Sequence, residues 1–290
     1  MAEPLPVCYL NGEYLPLSQA RISPLDRGFL FADSVYEVMP VYAGRPFRFP
    51  EHCQRLTRSL AELGMQDPHD RAAWRGMLAR LIESNGAGDL YVYWQVTRGA
   101  EYGRNHAPLP QLPRTVFAFC APLPALSPEE RALGLACVTA ADNRWGRCDI
   151  KSTALLANVL LRELASRAGA AETILLRHGE LTEGSASAVH VVIGGELRTP
   201  VLSPLLLPGT TRSVIEELAV RAGIPVRATA VSESELRGAQ EVLLSAATRE
   251  VAAVTRIDGR PVGEGRPGPV WERLYAALQD YKHDLAGTPW

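Results

Sequence analysis

The first half of the chain carries hydrophobic patterns typical of both strands and helices. The dipeptide Asn11-Gly12 separates the stretches VCYL and EYLPL, which is the pattern of a tight β-hairpin. Alternating apolar positions predict further strands in residues 34–49, 89–99 and 114–120. Helical spacing predicts two helices, each closed by a glycine, in residues 51–64 and 70–86. The N-terminal part is therefore predicted to be an α+β domain.

The second half continues the alternation of helices and strands. Helical spacing predicts helices in residues 152–168 and 211–222 and a last helix that begins near Pro269. Strands are predicted in residues 172–177, 187–193 and 241–247. In the first of these helices, apolar residues at helical spacing predict a buried stripe, formed by Leu155, Leu156, Val159, Leu160 and Leu164.

A proline-rich segment separates the two halves. Residues 121–130 contain three prolines and follow neither the helical nor the strand period. We therefore predict an interdomain linker at 121–132, between an N-terminal domain at 1–120 and a C-terminal domain at 133–290. With 290 residues, of which 47% are hydrophobic, the chain can supply a core for each domain.

Composition excludes several classes of function. The net charge is −2, with 30 basic and 32 acidic residues interspersed, so we expect no nucleic-acid or membrane partner. No signal peptide and no apolar run of membrane-spanning length are present, which predicts a cytoplasmic protein. The five cysteines form no C-x-x-C pair and the six histidines no H-x-x-x-H pair. Neither a disulfide framework nor a metal site is therefore expected.

One glycine-rich motif is set aside. The sequence GEGRPG, at residues 263–268, matches the G-x-G-x-x-G pattern of dinucleotide-binding loops. It contains a proline, lies near the end of the sequence, and is not part of a predicted βαβ unit with a following acidic residue. A dinucleotide site is therefore not predicted here.

Lys151 stands out because of its position. Residues 148–150 are interpreted as the end of a strand, and Ser152 is predicted to cap the helix that follows. A lone lysine is usually a solvated surface charge. At a strand-to-helix corner against packed structure, its amine could instead act as a nucleophile towards a carbonyl group.

Two other clusters contain groups that suit a bound anion or a cationic ring. In LTEGSASAVH, Glu183 and Ser185 come just before a strand, and the simpler interpretation is an ordinary turn. In LLLPGTTRSV, Gly209 and Thr210 come just before a helix, whose N–H groups could bind a phosphate. Here the simpler interpretation is an N-cap formed by a threonine.

Together the three clusters supply an amine, a carboxylate and an anion site. Pyridoxal 5'-phosphate requires these three groups: an amine for its aldehyde, an acid for its ring nitrogen, and donors for its phosphate. The sequence therefore suggests an enzyme that uses this cofactor.

At this point the sequence resembles a known family, the class IV (fold type IV) pyridoxal-phosphate aminotransferases, and within it the D-amino-acid aminotransferases. The resemblance covers nearly the whole chain, and its motifs occur in the family's order: DRGFLFADSVYEVMPVYAG, EHCQRLTRSL, QVTRGAEYGRNHAP, DNRWGRCDIKS, LTEGSASAV and LLLPGTTRSV. It implies an α/β fold with an α+β N-terminal domain and a larger C-terminal α/β pseudo-barrel domain. It also implies a homodimer whose active sites are completed across the subunit interface.

The resemblance also implies roles for individual residues. Lys151 would carry the cofactor covalently and move the proton of the substrate, and Glu183 would pair with the ring nitrogen. Leu207 would pack against the ring. The residues implied at the phosphate are Arg55, Ser185, Gly209, Thr210, Thr211 and Thr248. Those implied at the substrate are Tyr36, Arg104, His106 and Trp145, of which Arg104 and His106 would reach in from the partner subunit.

The sequence departs from the family pattern at several positions. Ala32 and Ser34 stand where relatives usually have glycine, and the loop between Gly99 and Arg104 is one residue longer. Ala188 stands where asparagine is common. Near the expected phosphate site, Ala246 and Ala247 replace hydroxyl residues. We therefore expect a changed pocket shape and a weaker hold on the phosphate.

The resemblance leaves more than one activity open. The leading expectation is transfer of an amino group from a D-amino acid to a 2-oxo acid, based on the Arg104 and His106 pair. A transaminase for branched-chain L-amino acids or for (R)-amines is the first alternative. A lyase that releases pyruvate from aminodeoxychorismate is the second. A binding protein without catalytic activity is disfavoured because Lys151 and Glu183 are both present.

Overall fold

The computed structural model describes residues 3–124 and 127–285, which form two compact units. The first unit contains residues 3–124, the short segment Ile150–Ala154 and Leu285. The second contains residues 127–149 and Leu155–Asp284. Two residues of the predicted linker, Ala125 and Leu126, lie outside the described residues, as do residues 286–290. The domain limits at residues 120 and 133 stay a prediction.

The first unit is built on a six-stranded antiparallel sheet. Its strands are β1 (Val7–Leu10), β2 (Glu13–Pro16), β3 (Ser34–Tyr42), β4 (Arg45–Pro46), β5 (Leu90–Thr97) and β6 (Thr115–Pro122). Their order across the sheet is β2-β1-β6-β5-β3-β4. The predicted hairpin between β1 and β2 is confirmed. Asn11 and Gly12 have φ values of 50° and 104°, the left-handed conformation that the favoured two-residue hairpin turn requires.

Helices cover one face of this sheet. They are α1 (Arg27–Phe31), α2 (Phe49–Glu62) and α3 (Arg71–Ser84), and a short 3-10 helix spans Leu17–Gln19. The apolar face of β5 is buried as its alternation predicts, and it shares one hydrophobic core with residues of α2 and α3: Leu56, Leu60, Trp74, Leu78, Leu90, Val92, Trp94 and Val96. The α+β character predicted for this part of the chain is confirmed.

The second unit combines helices with a larger mixed sheet. Its helices are α4 (Pro128–Leu133), α5 (Leu156–Arg167), α6 (Thr210–Arg221), α7 (Glu233–Arg237) and α8 (Pro269–Leu285). Its strands are β7 (Leu135–Ala141), β8 (Glu172–Arg177), β9 (Glu180–Gly184), β10 (Ala188–Ile193), β11 (Glu196–Thr199), β12 (Val226–Ala228), β13 (Glu241–Ala246), β14 (Glu250–Ile257) and β15 (Arg260–Pro261). All of helix α4 except its last residue, Leu133, lies in the segment predicted to be a linker.

The larger sheet is curled. Its strand order is β12-β11-β10-β13-β14-β7-β8-β9, with β15 added to β14. The pairs β11/β12, β14/β7 and β7/β8 are parallel, and the others are antiparallel. Strand β9, at one end of this order, also contacts β10. The predicted α/β fold is confirmed. Among the helices of the described residues, none combines the length and the hydropathy that a bilayer span requires.

The prediction for the helix after Lys151 was wrong in two respects. Helix α5 begins at Leu156 with Leu155 at its N-cap, so Ser152 does not cap it, and residues 148–150 form a turn instead of a strand end. The predicted stripe is not buried. Leu156, Val159, Leu160 and Leu164 are 73%, 58%, 54% and 44% exposed, whereas the helix buries Leu161 and Ala165. Apolar periodicity identifies an apolar face but not the surface that covers it.

Candidate functional site

In the first unit, the segment that carries Lys151 is attached to β3. The backbone C=O of Lys151 accepts a hydrogen bond from the N–H of Tyr36 at 3.0 Å. Ser152 forms an isolated β-bridge with Val35, and the hydroxyls of Ser34 and Thr153 are hydrogen-bonded. The main chain of this segment is therefore fixed at both sides of Lys151, so its side chain starts from an ordered backbone.

The amine of Lys151 lies over an aromatic ring. Its Nζ atom is 4.3 Å from the centroid of the Tyr36 ring, within the range of a cation–π contact. Tyr36 stacks on Tyr93 with centroids 5.4 Å apart, and the hydroxyl of Tyr93 donates to Gln95 Oε1 at 2.8 Å. Gln95 Nε2 in turn donates to Ser34 Oγ at 3.1 Å. The structure thus brings together two of the predicted residues, Lys151 and Tyr36, on a polar aromatic face.

Beneath β3, Arg55 forms a buried ion pair that the sequence did not indicate. Its Nε and Nη2 atoms donate to the two carboxylate oxygens of Glu37 at 2.8 and 2.6 Å. His52 Nδ1 donates to the same carboxylate at 2.7 Å. Burial alone would raise the pKa of Glu37, but Arg55 and His52 outweigh it and lower the pKa to about 2. Burial lowers the pKa of His52. Glu37 is therefore an anion held beside a cationic guanidinium.

The loop that carries Arg104 and His106 lies at the surface of the first unit. Both side chains flank Phe31: the Arg104 guanidinium is 4.9 Å from the ring centroid, and the His106 ring is 5.5 Å from it. Within the described part of the chain, neither side chain has a hydrogen bond, ion pair or ring contact with Tyr36. The predicted carboxylate-binding group is therefore not assembled within this unit.

In the second unit, Glu183 is a buried carboxylate with fixed partners. Arg144 Nη1 donates to its Oε1 atom, and the backbone N–H of Leu207 donates to its Oε2 atom at 3.1 Å. Burial raises the pKa of Glu183, and the neighbouring guanidinium of Arg144 opposes this effect. A carboxylate has about four acceptor positions, so two more hydrogen bonds can be accommodated. The predicted residues Glu183 and Leu207 are thus brought together.

Arg144 is itself held by a second carboxylate. Asp142 accepts from its Nε and Nη2 atoms, each at 2.9 Å, and Thr182 donates to Asp142 at 2.9 Å. The two carboxylates raise the pKa of Arg144, although burial alone would lower it. One cation therefore lies between two anions, and this arrangement fixes the orientation of Glu183. The motif DNRW contained this arginine, but nothing local marked its partner Glu183, 39 residues later.

The hydroxyl of Ser185 already donates a hydrogen bond to a protein group, so it is not available to a phosphate. Its Oγ atom donates to Glu172 Oε1, and Ser187 Oγ donates to Glu172 Oε2 at 3.1 Å. Glu172 is fully buried, and Arg249 Nη1 is 3.6 Å from its Oε2 atom. Both hydroxyls of the SAS motif therefore bind a carboxylate that sequence reasoning missed, because Glu172 opens strand β8 and is separated from the motif by strand β9.

The N-terminus of α6 has the form of an anion site. Gly209 occupies the N-cap position, so no side chain caps the helix among the residues that the structure describes. The alternative of a threonine N-cap is therefore excluded. Thr210 and Thr211 are buried in the first turn, where N–H groups and the helix dipole favour an anion. Thr248 lies in the turn between β13 and β14 and is half-buried.

The donor set can be compared with the needs of pyridoxal 5'-phosphate. Glu183 is a buried acceptor suited to a ring N–H, and the first turn of α6 is suited to a phosphate. A lysine is present on an ordered backbone. The groups present therefore fit this cofactor. Among the residues that the structure describes, no group of three potential metal ligands is found.

A match to a protein-family model identifies the family of this chain. The model of amino-transferase class IV matches residues 34–257. The chain belongs to this family. A protein from Bacillus licheniformis named D-alanine aminotransferase is 38% identical over 270 residues, which is 93% of this chain and 95% of the relative. A D-alanine aminotransferase from Listeria innocua is 36% identical over 267 residues, 92% of each chain.

Solved structures of other aminotransferases have the same fold. The branched-chain amino acid aminotransferase of Escherichia coli superposes with a TM-score of 0.89 at 28% identity, covering 95% of this chain and 94% of that one. A branched-chain amino acid aminotransferase from T.th., solved with pyridoxamine 5'-phosphate, gives a TM-score of 0.89 at 26% identity, with coverages of 98% and 96%. The fold type predicted from the sequence is confirmed.

Trp145 of this aminotransferase lies at the surface. It is 44% exposed, on the loop that joins β7 to α5. A large aromatic residue is more often part of a core, and this one is not. Its exposure leaves the ring available as a wall of a binding pocket, which stays a prediction.

Proposed function

We propose that the chain is a pyridoxal 5'-phosphate-dependent transaminase that moves the amino group of a D-amino acid to a 2-oxo acid. The observation that carries this proposal is Glu183, a buried carboxylate oriented by Arg144 and the N–H of Leu207. When bound, the cofactor supplies an aldehyde that takes up and returns the amino group and a cationic ring that accepts negative charge. Glu183 keeps the ring nitrogen protonated by pairing with its N–H.

Lys151 is the residue that holds the cofactor covalently and transfers the proton at the substrate Cα. Its Nζ atom lies over Tyr36, and its backbone is fixed to β3. An ordered backbone limits the positions that the amine can reach, which favours transfer between two defined atoms. Leu207 packs against the cofactor ring. Its backbone N–H donates to Glu183, which keeps Leu207 next to the carboxylate that pairs with the ring nitrogen.

The phosphate is bound by a cation and by backbone N–H groups. Arg55 supplies a cation, and the first turn of α6 supplies N–H groups at Gly209, Thr210 and Thr211. Ser185 and Thr248 are the remaining residues that the sequence assigns to this site. Because the hydroxyl of Ser185 binds Glu172, we expect its contribution to come through the main chain or through Glu172.

The substrate carboxylate is bound by Tyr36, Arg104 and His106, with Trp145 as a pocket wall. Since Arg104 and His106 lie at an exposed loop of their own unit, we place them in the active site of a partner subunit within a homodimer. The exposed apolar stripe of α5 supports dimer formation, because monomers rarely leave such a stripe in water. The cytoplasmic location expected from the sequence stays a prediction.

The activity is tested by supplying racemic alanine and 2-oxoglutarate to the purified holoenzyme. We expect D-alanine to disappear, L-alanine to remain, and pyruvate and glutamate to form in equal amounts. Consumption of L-alanine, or no formation of glutamate, would contradict the proposal. Pyruvate formed from aminodeoxychorismate without any 2-oxo acid would indicate the lyase instead.

The attachment site is tested independently of the substrate. The sequence contains only two lysines, Lys151 and Lys282, and Lys282 Nζ binds Glu250 at 2.5 Å. Borohydride reduction followed by peptide mapping should place the cofactor on Lys151. Lys282→Arg should leave labelling intact, and Lys151→Arg should abolish it. Labelling at Lys282, or none at either lysine, would refute the assignment.

A branched-chain L-amino-acid transaminase is the second candidate. It is supported by the superposition on branched-chain amino acid aminotransferases, although these are less similar in sequence than the D-alanine aminotransferases. Side-by-side assays with D-alanine, L-leucine and (R)-1-phenylethylamine separate this candidate and the amine transaminase from the leading proposal.

A further inference from the structure

The loop that presents Arg104 and His106 is tied to a single buried arginine. Arg27, in α1, donates from Nη1 to the backbone C=O of Asn105 at 2.7 Å and from Nη2 to that of His106 at 2.9 Å. Its third nitrogen, Nε, donates to Asp33 at 2.9 Å. One planar guanidinium therefore binds the two peptide groups on either side of His106, as its fork of donors allows.

Glu101, at the start of the same loop, binds both Arg27 and the far end of the loop. Its Oε1 atom accepts from Arg27 Nη1 at 2.5 Å, and its Oε2 atom accepts from the N–H of Leu109 at 3.1 Å. The Leu109 N–H and Arg27 hold the pKa of Glu101 below its usual range. Glu101 is buried, whereas residues 102–110 are all exposed. One carboxylate thus connects the two ends of the 101–109 segment to each other and to Arg27.

Arg27 is fixed in turn by its surroundings. Asp33 accepts from Arg98 Nε at 2.7 Å and from Arg98 Nη2 at 3.0 Å, in addition to its bond with Arg27. The guanidinium of Arg27 is also 4.7 Å from the centroid of the Phe31 ring. The opposite charges on either side of Arg27 compensate the cost of its burial. The arginine can therefore serve as a rigid anchor for a loop that otherwise lies in solvent.

The side chains of Arg104 and His106 contact the same aromatic ring as Arg27. Phe31 is contacted by Arg27, Arg104 and His106, with ring or guanidinium distances of 4.7 to 5.5 Å. Within the part of the chain that the structure describes, Arg104 is held only by this exposed cation–π contact, which is weak in water. Its position therefore depends on the main-chain anchoring.

We propose that Glu101 is a positioning residue for substrate recognition, which acts with Arg27 to hold the 101–109 segment so that Arg104 and His106 are presented in one conformation. The inference rests on the proposed role of these two residues at the substrate carboxylate. Without the contact between Glu101 and Arg27, the segment samples other conformations, and binding selects only the competent fraction.

The test uses the holoenzyme with Glu101→Gln, which removes the charge while keeping the size of the side chain. Leu109→Pro is a second variant, because proline removes the N–H that donates to Glu101. Glu13→Gln, an exposed carboxylate in β2, is the matched control. Unchanged absorption of the bound cofactor verifies that each variant is folded and loaded.

We expect exchange of the Ala107 amide, which donates to Asn105 Oδ1, to become about tenfold faster in both variants, and exchange of the Leu109 amide to do so in Glu101→Gln. We also expect KM for D-alanine and 2-oxoglutarate to rise about fivefold or more while kcat stays within about twofold. The control should match the wild type. Exchange that is unchanged in both variants would overturn the inference, as would faster exchange with an unchanged KM in an enzyme whose KM does respond to Arg104→Ala. If Arg104→Ala also leaves KM unchanged, the substrate role of Arg104 fails, and the substrate part of this inference fails with it.

Discussion

Replacing Glu37 by glutamine probes the buried ion pair beneath β3 without involving the substrate. The substitution keeps the shape of the side chain but removes the negative charge that Glu37 presents to the Arg55 guanidinium. In the folded protein the pKa of Glu37 falls from 4.5 to about 2. A difference of this size corresponds to about 3 kcal/mol of stabilisation of the carboxylate. Breaking a buried ion pair by removing one partner typically costs about 3–5 kcal/mol, which agrees in scale.

The effect is measured by calorimetry on the apoprotein, so that cofactor binding does not contribute. A loss of about 3 kcal/mol should lower the Tm of the first unit by about 6–12 °C. Glu51→Gln, on the helix α2 that carries Arg55, is the matched control, because Glu51 pairs with Arg48 at the surface, with 41% of its side chain exposed. Exposed pairs contribute about 0–1 kcal/mol. A Glu37→Gln shift no larger than that of the control would refute the reasoning.

The lowered pKa of Glu37 also predicts how the stability difference between wild type and Glu37→Gln changes with pH. Because the folded-state pKa of Glu37 is lowered, its stabilisation is present above pH 4.5 and is lost as the pH falls towards 2. The stability difference between wild type and Glu37→Gln should therefore narrow by about 1 kcal/mol between pH 7 and pH 4. A difference that widens in this interval would show that Glu37 is not the group responsible.

Three further predictions concern the proposed site. Arg104→Ala should raise KM for D-amino acids and 2-oxo acids by a factor corresponding to about 2–3 kcal/mol, measured by steady-state kinetics. Glu183→Gln should retain bound cofactor by absorption but lower kcat about 100- to 1000-fold, because the ring nitrogen loses its anionic partner. Mixed Lys151→Ala and Arg104→Ala subunits should recover activity through hybrid dimers, and no recovery after verified subunit exchange would contradict a shared site.

The sequence predicted the secondary-structure elements that are determined by residues close together in the chain. The hairpin at Asn11 and Gly12 depends on two residues that adopt positive φ, and both do so. The strand 172–177 coincides with β8, and the helix 211–222 nearly coincides with α6. Strand β14 was missed because its alternation is weak and one of its two main partners, β7, is distant in sequence.

The environment of the site depended on contacts between distant residues and could not be predicted. Motifs predicted roles for Lys151, Glu183 and Leu207. The residues that orient their side chains or main chain lie elsewhere in the sequence. Glu37 reaches Arg55 across 18 positions and Glu183 reaches Arg144 across 39. A charged residue in a sequence does not reveal whether its counter-ion is a neighbour in the fold or a ligand. Arg55 illustrates this, since a carboxylate already binds the guanidinium assigned to a phosphate.

Helix α5 shows a different limit of sequence reasoning. Its apolar stripe is real, but the residues that pack inward are Leu161 and Ala165. Burial of a stripe against the chain's own core and burial against another subunit produce the same periodicity. Only the fold distinguishes the two.

The segment Ile150–Ala154 has a consequence for biosynthesis. Ile150 belongs to the hydrophobic core of the first unit, and Ser152 pairs with Val35 more than a hundred positions earlier. A ribosome-bound chain that ends at residue 124 therefore lacks one edge contact of β3 and one core side chain. The first unit can reach its final packing only after Ser152 has been translated, so the segment that completes this packing is the one that carries Lys151.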